Sequence, residues 1–455
     1  MLPRLVVLPL ALLASSCARP APTTEAPVIP ATRPVSERPD AMVETALPRP
    51  NVSAMREGLA IAGRHRVAAI ASRRFTHDEY WRAIAPSIAA PVFRAEVIGR
   101  SLHGREIRAL TYGSGPTTVL LWSQMHGDES TSSMALADLF AFLASSDPSP
   151  IRQRLRDSLT ITFVPMLNPD GAELFQRENA VGIDINRDAR QLSTPEARAL
   201  KGIRDRLTPD FGFNLHDQSA RTRAGSRGPP AAIALLAPPY DSTRAYDSVR
   251  TRARLVAAAI ARTLTAEIPG RIASYDDTFN PRAFGDLMQQ WGTSTVLIES
   301  GALPDDPEKQ RLRAITAAGI LSALDAIASG AYRAENPVSY DRLPRNTGGA
   351  VDVLILGGQV VLPGQSPLRA DVALNYDEAV ARTGPRVRDV GDLREAVAID
   401  TIDATGLFIH PEPSALTRRD GGAWLRLGAP GALTIRRGVG VESEVVRRIG
   451  DSSTR

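Results

Sequence analysis

Two stretches of the chain place a histidine and a glutamate three residues apart: His103-Gly104-Arg105-Glu106 and His126-Gly127-Asp128-Glu129. An imidazole and a carboxylate at that spacing can begin the ligand set of a catalytic zinc. Their surroundings separate them. His103 falls in a polar turn between two apolar segments and reads as a solvated loop residue. His126 follows the apolar run Val119-Leu120-Leu121-Trp122, a predicted buried strand, and Glu129 opens a predicted helix. Both side chains are thus expected at the carboxyl end of a strand, where open α/β sheets place their sites. The helix N-terminus favours the charge of Glu129. A catalytic zinc also needs a third protein ligand and a position left for water. Of the other histidines, His65 lies near a Pro-rich stretch, His77 opens a predicted surface helix, and His410 lies in a C-terminal β segment. Only His216, in Phe213-Asn214-Leu215-His216-Asp217, ends an apolar strand of the same region. His126, Glu129 and His216 are therefore the candidate ligands for one zinc ion per chain.

These residues must be positioned by the elements around them. Apolar periodicity predicts helices over 75–88, 130–143, 246–264 and 309–327. Strands are predicted over 93–97, 107–112, 117–122, 159–164, 211–215 and 295–298. Strands alternating with helices imply an α/β domain, here 51–334, with a mixed, largely parallel sheet flanked by helices. After Asn336 the texture changes to short apolar runs. These include a hairpin-like 352–361, and a small all-β accessory domain and tail is expected over 335–455.

The ordered motifs resemble those of the zinc carboxypeptidases of the M14 type over about 95–324. Ile98-Gly99-Arg100-Ser101 with Gly104-Arg105-Glu106-Ile107 looks like the family's opening strand-turn-strand. His126-Gly127-Asp128-Glu129 resembles its first metal motif, and Asn168-Pro169-Asp170-Gly171 its characteristic turn. Arg177 and Asn179, then Asp184, Asn186, Arg187 and Asp188, resemble its substrate-carboxylate region. Glu299, in Val296-Leu297-Ile298-Glu299-Ser300-Gly301, stands where the family has its catalytic glutamate. The resemblance implies a fold of carboxypeptidase A type and a peptide substrate with a free C-terminus. It implies Glu299 as general base, Arg177 as oxyanion stabiliser, and Asn186 and Arg187 as carboxylate binders. Tyr275 is the nearest match to the family's substrate-capping tyrosine. Asp217-Gln218 departs from the pair that the family usually has after its third ligand. The residue setting side-chain preference is expected within 284–286. A weaker resemblance links the C-terminal region to the small β-sandwich that flanks amidohydrolase barrels. Its barrel and metal-binding His-x-His pair are missing, so it reads as a non-catalytic accessory domain, and His410 as a surface residue.

Composition narrows the alternatives. The 54 Lys and Arg residues nearly balance 50 Asp and Glu, leaving a formal charge of +4 without a basic tract. No nucleic-acid partner is expected. The single cysteine excludes an intrachain disulfide framework. A basic start at Arg4, an apolar run from Leu5 to Leu13, and small residues before Cys17 resemble a bacterial lipoprotein signal. The expectation is a signal peptide at 1–17, lipidation at Cys17, and a Pro-rich linker over 18–50. The protein would then be exported, facing the periplasm or cell exterior and held to the membrane by its lipid anchor only. Two alternatives stand beside the peptidase: a zinc deacylase or amidase of the same fold, and an inactive tethered peptide-binding protein.

Overall fold

Asn51 caps the first helix: its side chain accepts the Ala54 N–H and α1 (Val52–Arg64) follows at once. A computed structural model describes residues 47–419 and 422–450. The expected signal peptide, Cys17 and linker residues 18–46 lie outside the described residues. Thr76 and Glu79 form a reciprocal capping box that opens α2 (His77–Ile88). Next come β1 (Phe93–Arg100), β2 (Glu106–Tyr112), β3 (Thr117–Ser123), α3 (Thr131–Ala144), α4 (Pro150–Ser158) and β4 (Leu159–Val164). The middle of the chain forms α5 (Pro169–Leu174), α6 (Pro195–Leu207), β5 (Phe211–Asp217), β6 (Arg223–Ala224) and β7 (Ile233–Leu236). It continues with α7 (Ser248–Leu264), β8 (Ile272–Ser274), α8 (Phe284–Gln290), β9 (Ser294–Ser300) and α9 (Gln310–Ser329).

Eight of these strands form one mixed sheet in the order β1-β2-β4-β3-β5-β9-β7-β8. The central run β4-β3-β5-β9 is parallel, whereas β1, β2 and β7 pair antiparallel with their inner neighbours. Side chains alternate across β3. Val119 and Leu121 join a core with α1, α3, α7 and α9, while Leu120 and Trp122 join a second core with α6 and α8. Burial on both faces explains why these strands are predominantly apolar. Each large side chain buried there contributes roughly 1.5–3 kcal/mol.

α1 was not expected as an element, yet it is part of this core. A Cβ on its Gly58 would stand 2.7 Å from the Ala318 Cβ of α9, so the two helices meet at a pair of small residues. His77 also differs from expectation. It opens α2 as predicted, but is only 7% exposed, with Nε2 3.1 Å from the Glu106 carbonyl and its ring edge-on to Trp81. The helix packs that end against the β1–β2 hairpin, which takes the ring out of solvent.

The C-terminal strands are β10 (Asn346–Thr347), β11 (Val351–Leu356), β12 (Gln359–Val360), β13 (Leu368–Arg369), β14 (Asp371–Glu378) and β15 (Thr383–Gly391). They continue with β16 (Ala398–Asp403), β17 (Phe408–Pro411), β18 (Leu416–Arg419), β19 (Gly422–Leu425), β20 (Leu433–Arg436) and β21 (Val445–Ile449). A sheet ordered β15-β14-β11-β16 and another ordered β13-β12-β17-β20-β21 share one apolar core, including Val353, Val372, Ile409 and Leu433. The hairpin expected at 352–361 does not form, because β11 and β12 belong to different sheets. Gly357, at φ 75°, and Gly358, with Ile409 packed where its side chain would be, carry the chain from one sheet to the other.

Candidate metal centre

The site stands at the carboxyl ends of the parallel strands. β5 and β9 are in register with His216 directly beside Glu299, so both side chains leave the same face. His126 lies three residues beyond the end of β3, and Glu129 immediately precedes the N-cap Ser130 of α3. The chain between them makes a tight approach to the Asn168–Gly171 turn. A methyl group on Gly127 would stand 1.9 Å from the Gly171 carbonyl carbon, so no larger residue fits. That turn is itself tied down. Asn168 accepts the Gly171 N–H at 2.9 Å, and Asp170 accepts bonds from Ser101 Oγ, the His103 N–H and Arg105 Nη1. The motif around 98–107 thus supports the metal loop, while the His103 side chain remains exposed as predicted.

One ligand atom from each of His126, Glu129 and His216 lies within 4.8 Å of the others, and all three residues are buried. His126 Nδ1 is 2.8 Å from Glu129 Oε1, His216 Nδ1 is 2.7 Å from Glu129 Oε2, and the two Nδ1 atoms are 3.2 Å apart. Burial works to raise the Glu129 carboxyl, but the two imidazoles outweigh it and hold it well below the ordinary carboxylate range. Burial likewise opposes a charge on His126, yet Glu129 and Asp184 push it up to about 9. At His216 burial wins and lowers the value. A buried anionic field that draws a proton onto one imidazole also favours a divalent cation. Two imidazole nitrogens and one carboxylate facing an open cleft fit a zinc ion with a position left for water.

Asp184 orients the first ligand. His126 Nε2 donates to Asp184 Oδ1 at 3.0 Å, which leaves Nδ1 directed at the other ligands. Asp184 was legible only as part of a motif. The rule that a ligating histidine needs an acceptor on its second nitrogen was the signal that could have found it. Exchanging Asp184 for asparagine is expected to weaken zinc binding roughly 10–100-fold, measured by chelator competition. Unchanged affinity would show that His126 is oriented by something else.

The other expected residues also reach the cleft. Arg177 Nη1 lies 3.1 Å from Glu129 Oε1, with Nε and Nη2 bonded to Asp184 Oδ2. Glu299 is 7% exposed and its carboxyl has no hydrogen-bond partner among the described residues; burial, then the charge of Glu129, raises that carboxyl well above the usual range. The charge of Glu299, with burial, pushes the Tyr275 hydroxyl up to about 12, so that phenol stays a donor. Arg187 Nη1 donates to its neighbour's carbonyl at 2.8 Å, and the residue lines the cleft. Asn186, the other expected carboxylate binder, also lines the cleft. Its Oδ1 accepts the Phe284 N–H at 2.9 Å and its Nδ2 lies 3.4 Å from His216 Nε2, so in this structure it braces the third ligand.

The unusual Asp217 has a partner that sequence reasoning missed. Its Oδ2 accepts bonds from Lys309 Nζ at 2.9 Å and Thr131 Oγ1 at 2.5 Å, while its N–H donates to Glu129 Oε2. Lys309, one of two lysines in the chain, is 3% exposed. It ties the end of β5 to the start of α9. Within 284–286, Asp286 lines the cleft, and burial lifts its carboxyl to about 6.

Part of the chain is similar to the zinc carboxypeptidases. Residues 81–218 match the family model described as zinc carboxypeptidase. Carboxypeptidase M of Mus musculus is 31% identical over 142 residues, covering 27% of this chain and 32% of that protein. Carboxypeptidase Z of Homo sapiens is 30% identical over 147 residues, covering 27% of this chain and 22% of that protein. The chain thus spans about a third or less of the length of these relatives. A metallo-carboxypeptidase from Burkholderia cenocepacia aligns at 18% identity and TM-score 0.45, covering 57% of this chain and 70% of that one.

Proposed function

We propose that the protein is an exported zinc metallocarboxypeptidase that removes residues from the C-termini of peptides, with periplasmic or cell-wall peptides as its substrates. One observation carries the reading: His126, Glu129 and His216 converge at the strand ends with Glu299 beside His216 in register. Zinc, when bound, supplies a Lewis acid and a water of lowered pKa. The chain's own groups do the rest. Glu299, with no partner of its own, takes a proton from the attacking water and returns it to the leaving amine as the C–N bond breaks. Arg177, held by Asp184 at the edge of the triad, faces the oxygen that gains charge. Arg187 offers a guanidinium fork to the terminal carboxylate, and Tyr275 a protonated hydroxyl close to Glu299. Small residues before Cys17 and the Pro-rich stretch after it support export and a lipid tether.

The test compares matched peptides with free and amidated C-termini on zinc-loaded protein. The free form is expected to be cleaved at least about 100-fold faster in kcat/KM, because the amide loses the ion pair with Arg187. Equal cleavage of both would replace the carboxypeptidase with an amidase. Protein that takes up no zinc would be a binding protein instead.

A further inference from the structure

The C-terminal region reaches the same cleft, and nothing in the proposed chemistry uses it. Asn346, Gly348, Ala379 and Val380 line the cavity of about 770 Å³ that also contains His126, His216 and Glu299. That volume falls in the range of small-ligand sites, which form preferentially where two structural regions meet.

Three sets of contacts hold the region in place. At the end of β14, Glu378 binds Arg73 Nη2 at 2.6 Å and Arg74 Nη2 at 2.7 Å. Arg73 also lies over the Phe175 ring, 5.2 Å from its centroid, and lines the cavity. Asn346 Nδ2 donates to Gln218 Oε1 at 2.6 Å, two residues beyond the ligand His216, and β10 pairs antiparallel with β6. Behind them Arg221 Nε and Nη2 grip Asp352 Oδ2 at 2.9 and 2.7 Å, and Arg221 reaches the Tyr376 carbonyl. Asp352 is only 5% exposed, so this charge pair fixes geometry and is not a solvated surface contact. The turn between β14 and β15 is therefore anchored at its base and presents Ala379 and Val380 to the cavity.

The groups read as holding the substrate's last residue are fixed by contacts of their own. Asn186 bonds to Phe284 and lies against His216, and Arg282 donates to the Arg187 carbonyl, whereas Tyr275 follows Ser274, whose N–H donates to the Pro344 carbonyl of the C-terminal region. A peptide whose end lies at Arg187 extends along the same cleft that this turn lines.

We infer that the Ala379–Val380 turn, with Asn346, is a wall of the substrate cleft that packs against the residues upstream of the cleaved bond. The C-terminal region is then part of the substrate site. This inference rests on the peptidase reading above. Its apolar tip suits an extended backbone with small side chains.

The experiment uses full-length zinc-loaded protein and two substrates with the same last two residues, an N-acylated dipeptide and a hexapeptide. Val380→Trp and Ala379→Trp each enlarge the turn at the cleft, and each is made separately in case one fails to fold. The ratio of kcat/KM for hexapeptide over dipeptide is expected to fall at least about fivefold in both. Ratios within about twofold of wild type in the folded variants would overturn the wall while leaving the peptidase reading intact. If the wild type cleaves neither substrate, the peptidase reading fails and the wall's role fails with it.

Discussion

Replacing Glu299 by glutamine is expected to leave zinc content unchanged and to lower kcat for peptide hydrolysis roughly 10²–10⁴-fold, the usual contribution of a positioned general base. The exchange is isosteric, and Glu299 has no hydrogen bond to lose among the described residues, so the fold and the neighbouring His216 strand should be undisturbed. The loss should fall on kcat, with KM little altered, because the proton transfer is made only in the transition state. Metal analysis run beside the assay separates this from ligand damage. A variant that holds zinc and cleaves as fast as wild type would remove Glu299 from the mechanism.

The second large effect concerns stability. Arg313 on α9 and Asp138 on α3 form an ion pair that is 1% and 2% exposed, with Nε to Oδ2 at 2.7 Å. The same guanidinium donates to the Ile70 and Val67 carbonyls, and the Val67 N–H donates back to Asp138. The pair thus pins the chain between α1 and α2 onto the helices behind the active site. Arg313→Met leaves a carboxylate buried without a counter-ion and is expected to cost about 3–5 kcal/mol. Adding Asp138→Leu should recover most of that loss, since an apolar pair of similar volume avoids desolvating two charges. Denaturant melts of the single and double variants measure both.

The pH dependence of the single variant has a definite sign. Burial already lifts the Asp138 carboxyl above its ordinary value, even against the pull of Arg313. Without arginine the lift grows, so the folded state holds a proton that the unfolded chain releases. That stability is present below the unfolded pKa and is lost as pH rises through the folded one. The deficit of Arg313→Met should therefore be smaller near pH 4 than near pH 8. A deficit independent of pH would mean that Asp138 finds another cation.

Much of this architecture was legible in local pattern. The strands 117–122, 159–164 and 211–215 appear within two residues of their expected limits because burial on both sheet faces makes them predominantly apolar segments. The helices that were missed had weaker signals. α4 buries only Ile151 and Leu155, and α6 is a charged segment whose apolar face shows only once the sheet is beneath it. The crossing from β11 to β12 was misread as a hairpin because paired glycines mark a turn without saying which sheet follows.

The sequence by itself picked out the three candidate ligands that the fold brings together. His126 and Glu129 are held by a short local spacing at a strand end, and His216 by its place at the end of another apolar run. Glu299 and Arg177 were added by the order of motifs. Only the tertiary structure decided what surrounds them. Asp184 meets His126 across 58 residues, and Lys309 meets Asp217 across 92. The Ala379–Val380 turn joins the cleft through contacts such as Glu378 with Arg73, 305 residues apart. Spacing in the chain encodes side chains that one element carries, whereas partners on different elements meet only when the sheet and its helices close together.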